Sequence, residues 1–134
     1  MNKISCVLLI EDDPIAKFIA MKAIKINNLI QEIKACNNGK EAIDFLTSLS
    51  AINKPCPELI FLDINMPLLE GDEFLNCVKD LPFTNIKSVI FCVITNSSHP
   101  SDIIKIKSLG VHEYLIKPLH REAVEKIYEK YFNN

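Results

Sequence analysis

Leu59-Ile60-Phe61-Leu62-Asp63-Ile64-Asn65-Met66-Pro67 is a run of strand length that carries a carboxylate at its end. Asn65 and Pro67 are turn residues, so the run stops there. An unbroken apolar segment of this length is buried on both faces, as strands of parallel sheets are. Asp63 is therefore predicted at the C-terminal mouth of a buried strand. In open α/β sheets, ligands and chemistry collect at that mouth. A lone Asp more often opens a turn or caps a helix, so the rest of the chain has to decide.

Upstream, residues 6–10 form a first buried strand that runs into Glu11-Asp12-Asp13-Pro14. Pro14 suits a first helical position, with Asp13 as its N-cap. Ile15, Phe18, Ile19, Lys22 and Ile26 recur at helical spacing, predicting a helix to about Asn27. Residues 30–36 read as a second strand, and Asn37-Asn38-Gly39 as a turn. Ala42, Ile43, Phe45, Leu46 and Leu49 mark a second amphipathic helix. Residues 50–58, with Pro55 and Pro57, read as a long loop and the most expendable part of the chain.

Downstream, residues 71–81 predict a third helix burying Phe74, Leu75 and Val78, stopped by Pro82. A fourth strand at 89–94 ends in Thr95-Asn96-Ser97-Ser98. A fourth helix from Pro100 carries Ile103, Ile106 and Leu109, with Gly110 as its stop. A fifth strand at 112–116 ends in Lys117-Pro118. A last helix, about 120–132, sets Ala123, Val124, Ile127, Tyr128 and Tyr131 on one side. Strict alternation of strand and helix implies a parallel sheet with helices on both faces, joined by right-handed crossovers.

The 134 residues suit one domain spanning 1–134 with no attached output domain. Apolar residues make up 49% and charged residues 24%, enough for a sizeable core. A net charge of −2 without a basic block gives nucleic-acid binding no support. No segment approaches a membrane span, and the N-terminal apolar run is too short for a leader core. Cys6, Cys36, Cys56, Cys77 and Cys92 form no C-x-x-C pair and fall mostly in apolar stretches. They read as small core residues of a reducing compartment, which places the chain in the cytoplasm. His99, His112 and His120 read as surface residues.

The strand ends converge on one edge of such a sheet. They bring Asp12 and Asp13 from the first strand, Asp63 from the third, Thr95 from the fourth and Lys117 from the fifth. Clustered carboxylates repel one another, and burial sharpens the repulsion. A hard divalent cation such as Mg²⁺ relieves it. A hydroxyl, a lysine and a metal around one carboxylate can hold the oxygens of a phosphoryl group, with Asp63 as nucleophile. Taken singly, each residue has an ordinary use: capping for the Asp pair, a turn for Thr95, a solvated charge for Lys117. Their joint placement at successive strand ends favours the functional reading.

The segments Leu9-Ile10-Glu11-Asp12-Asp13-Pro14, Leu62-Asp63-Ile64-Asn65-Met66-Pro67 with Gly71, Ile94-Thr95 and Tyr114-Leu115-Ile116-Lys117-Pro118 resemble the receiver domain of two-component response regulators. The resemblance covers essentially the whole chain. It implies an α/β, flavodoxin-like, doubly wound sheet of order 2-1-3-4-5 with five helices, and signalling in place of catalytic turnover. It implies Asp63 as phosphoacceptor. Asp13, Asp63 and the Asn65 carbonyl would be Mg²⁺ ligands, with Asp12 acting through water. Thr95 and Lys117 would contact the phosphoryl oxygens, Lys117-Pro118 would be a cis peptide, and Tyr114 would be an aromatic switch. The implied partners are a histidine kinase or phosphotransfer protein and an output protein that the sequence does not name. The face of the fourth helix, fifth strand and fifth helix would signal, or the phosphoryl group would pass along a phosphorelay. Asn96, Ser97 and Asn65 stand at positions that tune access and phosphoryl lifetime. A haloacid-dehalogenase-like phosphatase also combines Asp, Mg²⁺, Thr and Lys. That family places its nucleophile early as D-x-D and its acidic pair late, the reverse of the order here.

Overall fold

Every residue of β3 (Leu59–Asp63) is buried, as its unbroken apolar run predicts. The computed structural model describes residues 3–64, 71–96 and 99–133. Around β3 stand β1 (Ile4–Ile10), β2 (Ile30–Cys36), β4 (Ile90–Thr95) and β5 (Glu113–Ile116). They alternate with α1 (Pro14–Lys25), α2 (Gly39–Ala51), α3 (Gly71–Lys79), α4 (Pro100–Lys107) and α5 (Arg121–Tyr131). All strand pairs are parallel, in the order β2-β1-β3-β4-β5. This is the flavodoxin-like arrangement expected from the sequence. The register sets Ile10 beside Leu62, Asp63 beside Ile94 and Thr95 beside Ile116, so the strand ends line one edge.

Side chains alternate across the sheet and build two cores. Leu8, Ile10, Ile60, Leu62 and Phe91 pack against Ala42 and Leu46 of α2 and Phe74, Leu75 and Val78 of α3. Val7, Leu9, Leu59, Phe61, Cys92 and Ile94 pack against Ala20 and Ile24 of α1 and Val124, Ile127 and Tyr128 of α5. The apolar faces expected for α3 and α5 are the buried ones. Residues in the left-handed region follow three helices: Asn28 (φ 54°), Asn53 (φ 59°) and Gly110 (φ 87°). At Gly110 an added Cβ would also meet Lys79 Nζ at 3.2 Å. Asn tolerates this conformation better than other residues with a side chain.

Two details add to these expectations. The helical stripe of α1 is its solvent face: Ile15 is 70% exposed, Phe18 60% and Ile26 63%. Ala20 and Ile24 lie against the sheet instead. Residues 52–58 form the expected loop, and it is anchored. α2 runs on to Ala51, Cys56 and Pro57 are buried, and the Asn85 side chain ties both backbone groups of Cys56. Its amide accepts from Cys56 N and donates to Cys56 O, each at 3.0 Å.

Candidate functional site

Among the described residues, the buried polar or charged side chains are Glu11, Asp63 and Thr95. All three stand at strand ends on the same edge of the sheet. Burying such groups costs free energy unless they are paired, and the fold concentrates that cost in one place. Lys117, just beyond β5, answers it. Its Nζ lies 2.6 Å from Glu11 Oε1 and 3.1 Å from Asp63 Oδ2. The Lys117 N–H donates to Thr95 O at 2.7 Å, which ties the fourth and fifth strand ends together. The Lys117–Pro118 peptide is cis, as the resemblance implies.

Electrostatics follow from this crowding. Burial pushes the Glu11 carboxyl up to about 6. The hydrogen bond from Lys117 pulls it back, and neighbouring Asp63 adds to the rise. Burial works against the charged form of Lys117, yet its bonds to Glu11 and Asp63 prevail and raise it above the ordinary lysine value. Carboxylate oxygens of Glu11, Asp12 and Asp63 lie within 4.8 Å of one another. Three ionised carboxylates facing one ammonium leave two negative charges unbalanced. An all-oxygen donor set with that imbalance fits a hard divalent cation such as Mg²⁺.

The carboxylates that cluster are those of Glu11, Asp12 and Asp63. Asp13 does not join the carboxylate cluster: its Oδ2 accepts from Ala16 N at 2.7 Å and caps α1, directly before Pro14. Glu11 takes its place. The backbone continues the ladder for one residue past β1, with Glu11 N donating to Cys36 O at 3.0 Å, and the Glu11 side chain turns inward. Its other oxygen, Oε2, accepts from Asp13 N at 3.2 Å and shapes the turn. The sequence held a signal for the cap: an Asp-Pro step at a helix start is a capping pair. Asn65 and Ser97 lie outside the described residues. Thr95 ends β4, buried, and Tyr114 sits half-buried on β5 beside Val93. Asn96 is exposed at the rim of a pocket of about 320 Å³, which Glu11, Lys117 and Pro118 share with Ile15 and Ile19 of α1.

Residues 7–129 match the response regulator receiver domain family. The chain belongs to that family. The receiver is 31% identical over 117 residues to response regulator Rcp1 of Synechocystis, covering 87% of this chain and 78% of Rcp1. It is 28% identical to chemotaxis protein CheY-3 of Vibrio cholerae, covering 97% and 96% of the two chains. A two-component response regulator from Cytophaga hutchinsonii superposes with a TM-score of 0.85 at 34% identity, covering 99% of the receiver and 100% of that chain. A Mn²⁺-bound form of Rcp1 superposes with a TM-score of 0.69 at 28% identity, covering 93% and 89%. Receiver domains are signalling proteins that work with histidine kinases or phosphotransfer proteins, which leaves the phosphatase reading without support. Among the described residues, no helix of the receiver is long and apolar enough to cross a membrane.

Proposed function

We propose that this receiver accepts a phosphoryl group on Asp63 from a phosphohistidine of a kinase or phosphotransfer protein, and that the modified state signals through α4, β5 and α5. The carrying observation is the placement of Asp63: buried at the end of β3, with Lys117 Nζ at 3.1 Å and Thr95 on the next strand end. In the transfer an Asp63 carboxylate oxygen forms the new P–O bond as the P–N bond breaks. The departing imidazole nitrogen keeps the electron pair. Lys117 and Thr95 are placed to meet phosphoryl oxygens, where fixed donors stabilise the charge without reorganising. Asp12, Asp63 and Glu11 would hold Mg²⁺, with the Asn65 carbonyl as a further ligand. When bound, the cation neutralises charge on the transferring group. The Mn²⁺-bound form of Rcp1 supports a divalent ion in a relative.

The exposed side chains of Ile15 and Ile19 border the same pocket as Glu11 and Lys117. Their exposure beside the site supports docking of a protein donor on the apolar side of α1. The buried free thiols of Cys36, Cys56 and Cys92 support a reducing, cytoplasmic setting.

The test is intact mass spectrometry after incubation with acetyl phosphate and Mg²⁺. The receiver gains one phosphoryl group and Asp63→Asn gains none. Equal labelling of the variant would remove Asp63 as acceptor.

A further inference from the structure

A second cluster lies at the edge of the sheet opposite Asp63. Phe91 is the second residue of β4, and a neighbouring strand continuing upstream would answer its N–H with a carbonyl. The chain turns instead at Gly110, and His112 fills the place with its ring. Nδ1 of His112 accepts from Phe91 N at 3.1 Å, while the His112 N–H donates to Phe91 O at 2.8 Å. The ring stacks on Phe91, with centroids 6.5 Å apart, and meets the edge of Tyr131 at 5.7 Å. The Tyr131 hydroxyl donates to the Glu113 carboxylate, which also takes Lys130 Nζ at 2.9 Å. His112 thus joins β4, the start of β5 and the last turn of α5.

We propose that His112 is an acid-sensitive clamp: its neutral ring pins the start of β5 and the end of α5 to β4, and protonation of Nδ1 releases them. A ring nitrogen that carries a proton cannot accept the Phe91 N–H, and that amide is then left without its partner. Several charges face the ring. Burial opposes its protonation most, Glu113 beside it on β5 and the Phe91 backbone favour it, and Lys79 of α3 and Lys130 of α5 oppose it. The balance holds His112 below the ordinary histidine value. Burial works against Glu113 ionising, but Tyr131, Lys130 and, from α4, Lys107 hold its carboxyl low, so it stays charged while His112 titrates. The unfolded chain takes up the proton near the ordinary value of about 6.5. The folded chain takes it up only at lower pH. The clamp therefore contributes fully above that ordinary value and is lost as pH falls through the folded one.

The experiment follows amide exchange protection of Phe91 and the His112 ring resonances together by NMR, from about pH 8 to about pH 5. Protection factors are corrected for the intrinsic pH dependence of exchange. Protection at Phe91 falls roughly fivefold or more along the titration curve of the His112 ring. In His112→Asn the amide oxygen accepts the same N–H without titrating, and protection stays flat. Unchanged protection at Phe91 while the His112 ring takes up its proton would overturn the clamp. An equal acid loss in His112→Asn would do the same. Should that variant fail to fold, the wild-type curves decide alone.

Discussion

Asp12 and Asp13 differ by one position and by what their carboxylates reach. Asp12 lies with Glu11 and Asp63, whereas Asp13 is spent on the amide of Ala16. Asp12→Ala should therefore abolish Mg²⁺ or Mn²⁺ binding and leave stability without metal unchanged or higher, since a repulsion is removed. Asp13→Ala should keep the metal and lose about 1 kcal/mol of stability with its cap. A metal titration and a urea melt on each variant separate the two, and loss of metal in Asp13→Ala alone would reverse the assignment. Asp63, Thr95 and Lys117 were legible in the sequence because each closes an apolar run. Glu11 was not. Which side of the sheet a residue faces depends on where the strand stops, and strand ends are blurred by a residue or so in a sequence. His112 was equally hidden, since its partner is a backbone amide 21 residues away.

At the scale of elements, the Asn85 side chain ties down the segment between α2 and β3. Asn85→Ala strips both hydrogen bonds from buried Cys56 and should cost about 1–3 kcal/mol. Urea denaturation should show the loss while acetyl phosphate labelling of Asp63 persists. No change in the urea midpoint would mean the segment holds itself. α4 offers the contrast. Ile106 is its fully buried apolar side chain, Ile103 is half-buried, and Ile104 points outward at 70% exposure. Few buried contacts make an element easy to shift, and a bound group moves an equilibrium only through contacts that differ between states. Beryllofluoride with Mg²⁺ should thus perturb amide signals of Thr95, Tyr114 and α4 more than those of α2. Shifts limited to the neighbours of Asp63 would describe an acceptor that does not switch, favouring passage along a phosphorelay. Helix existence was readable from periodicity, but the buried side of α1 was not. Ile15 and Phe18 face solvent while Ala20 and Ile24 face the sheet, and the spacing of apolar residues alone does not choose between the two sides.

For the whole molecule, alternation of strands and helices was enough to predict a parallel doubly wound sheet. The order 2-1-3-4-5 came with the family resemblance, since alternation does not by itself say where β2 pairs. That order has a consequence for how the chain is made. Synthesis releases the N-terminus first, and β1 can pair with β2 as soon as α1 has crossed over. From then on every new strand docks on the same open side: β3 on β1, β4 on β3, β5 on β4. No pairing already formed has to be undone to admit a later strand, so assembly can keep pace with a growing chain. The strand added last has only four residues, which leaves a short ribbon of unpaired backbone on that side and little template for another copy.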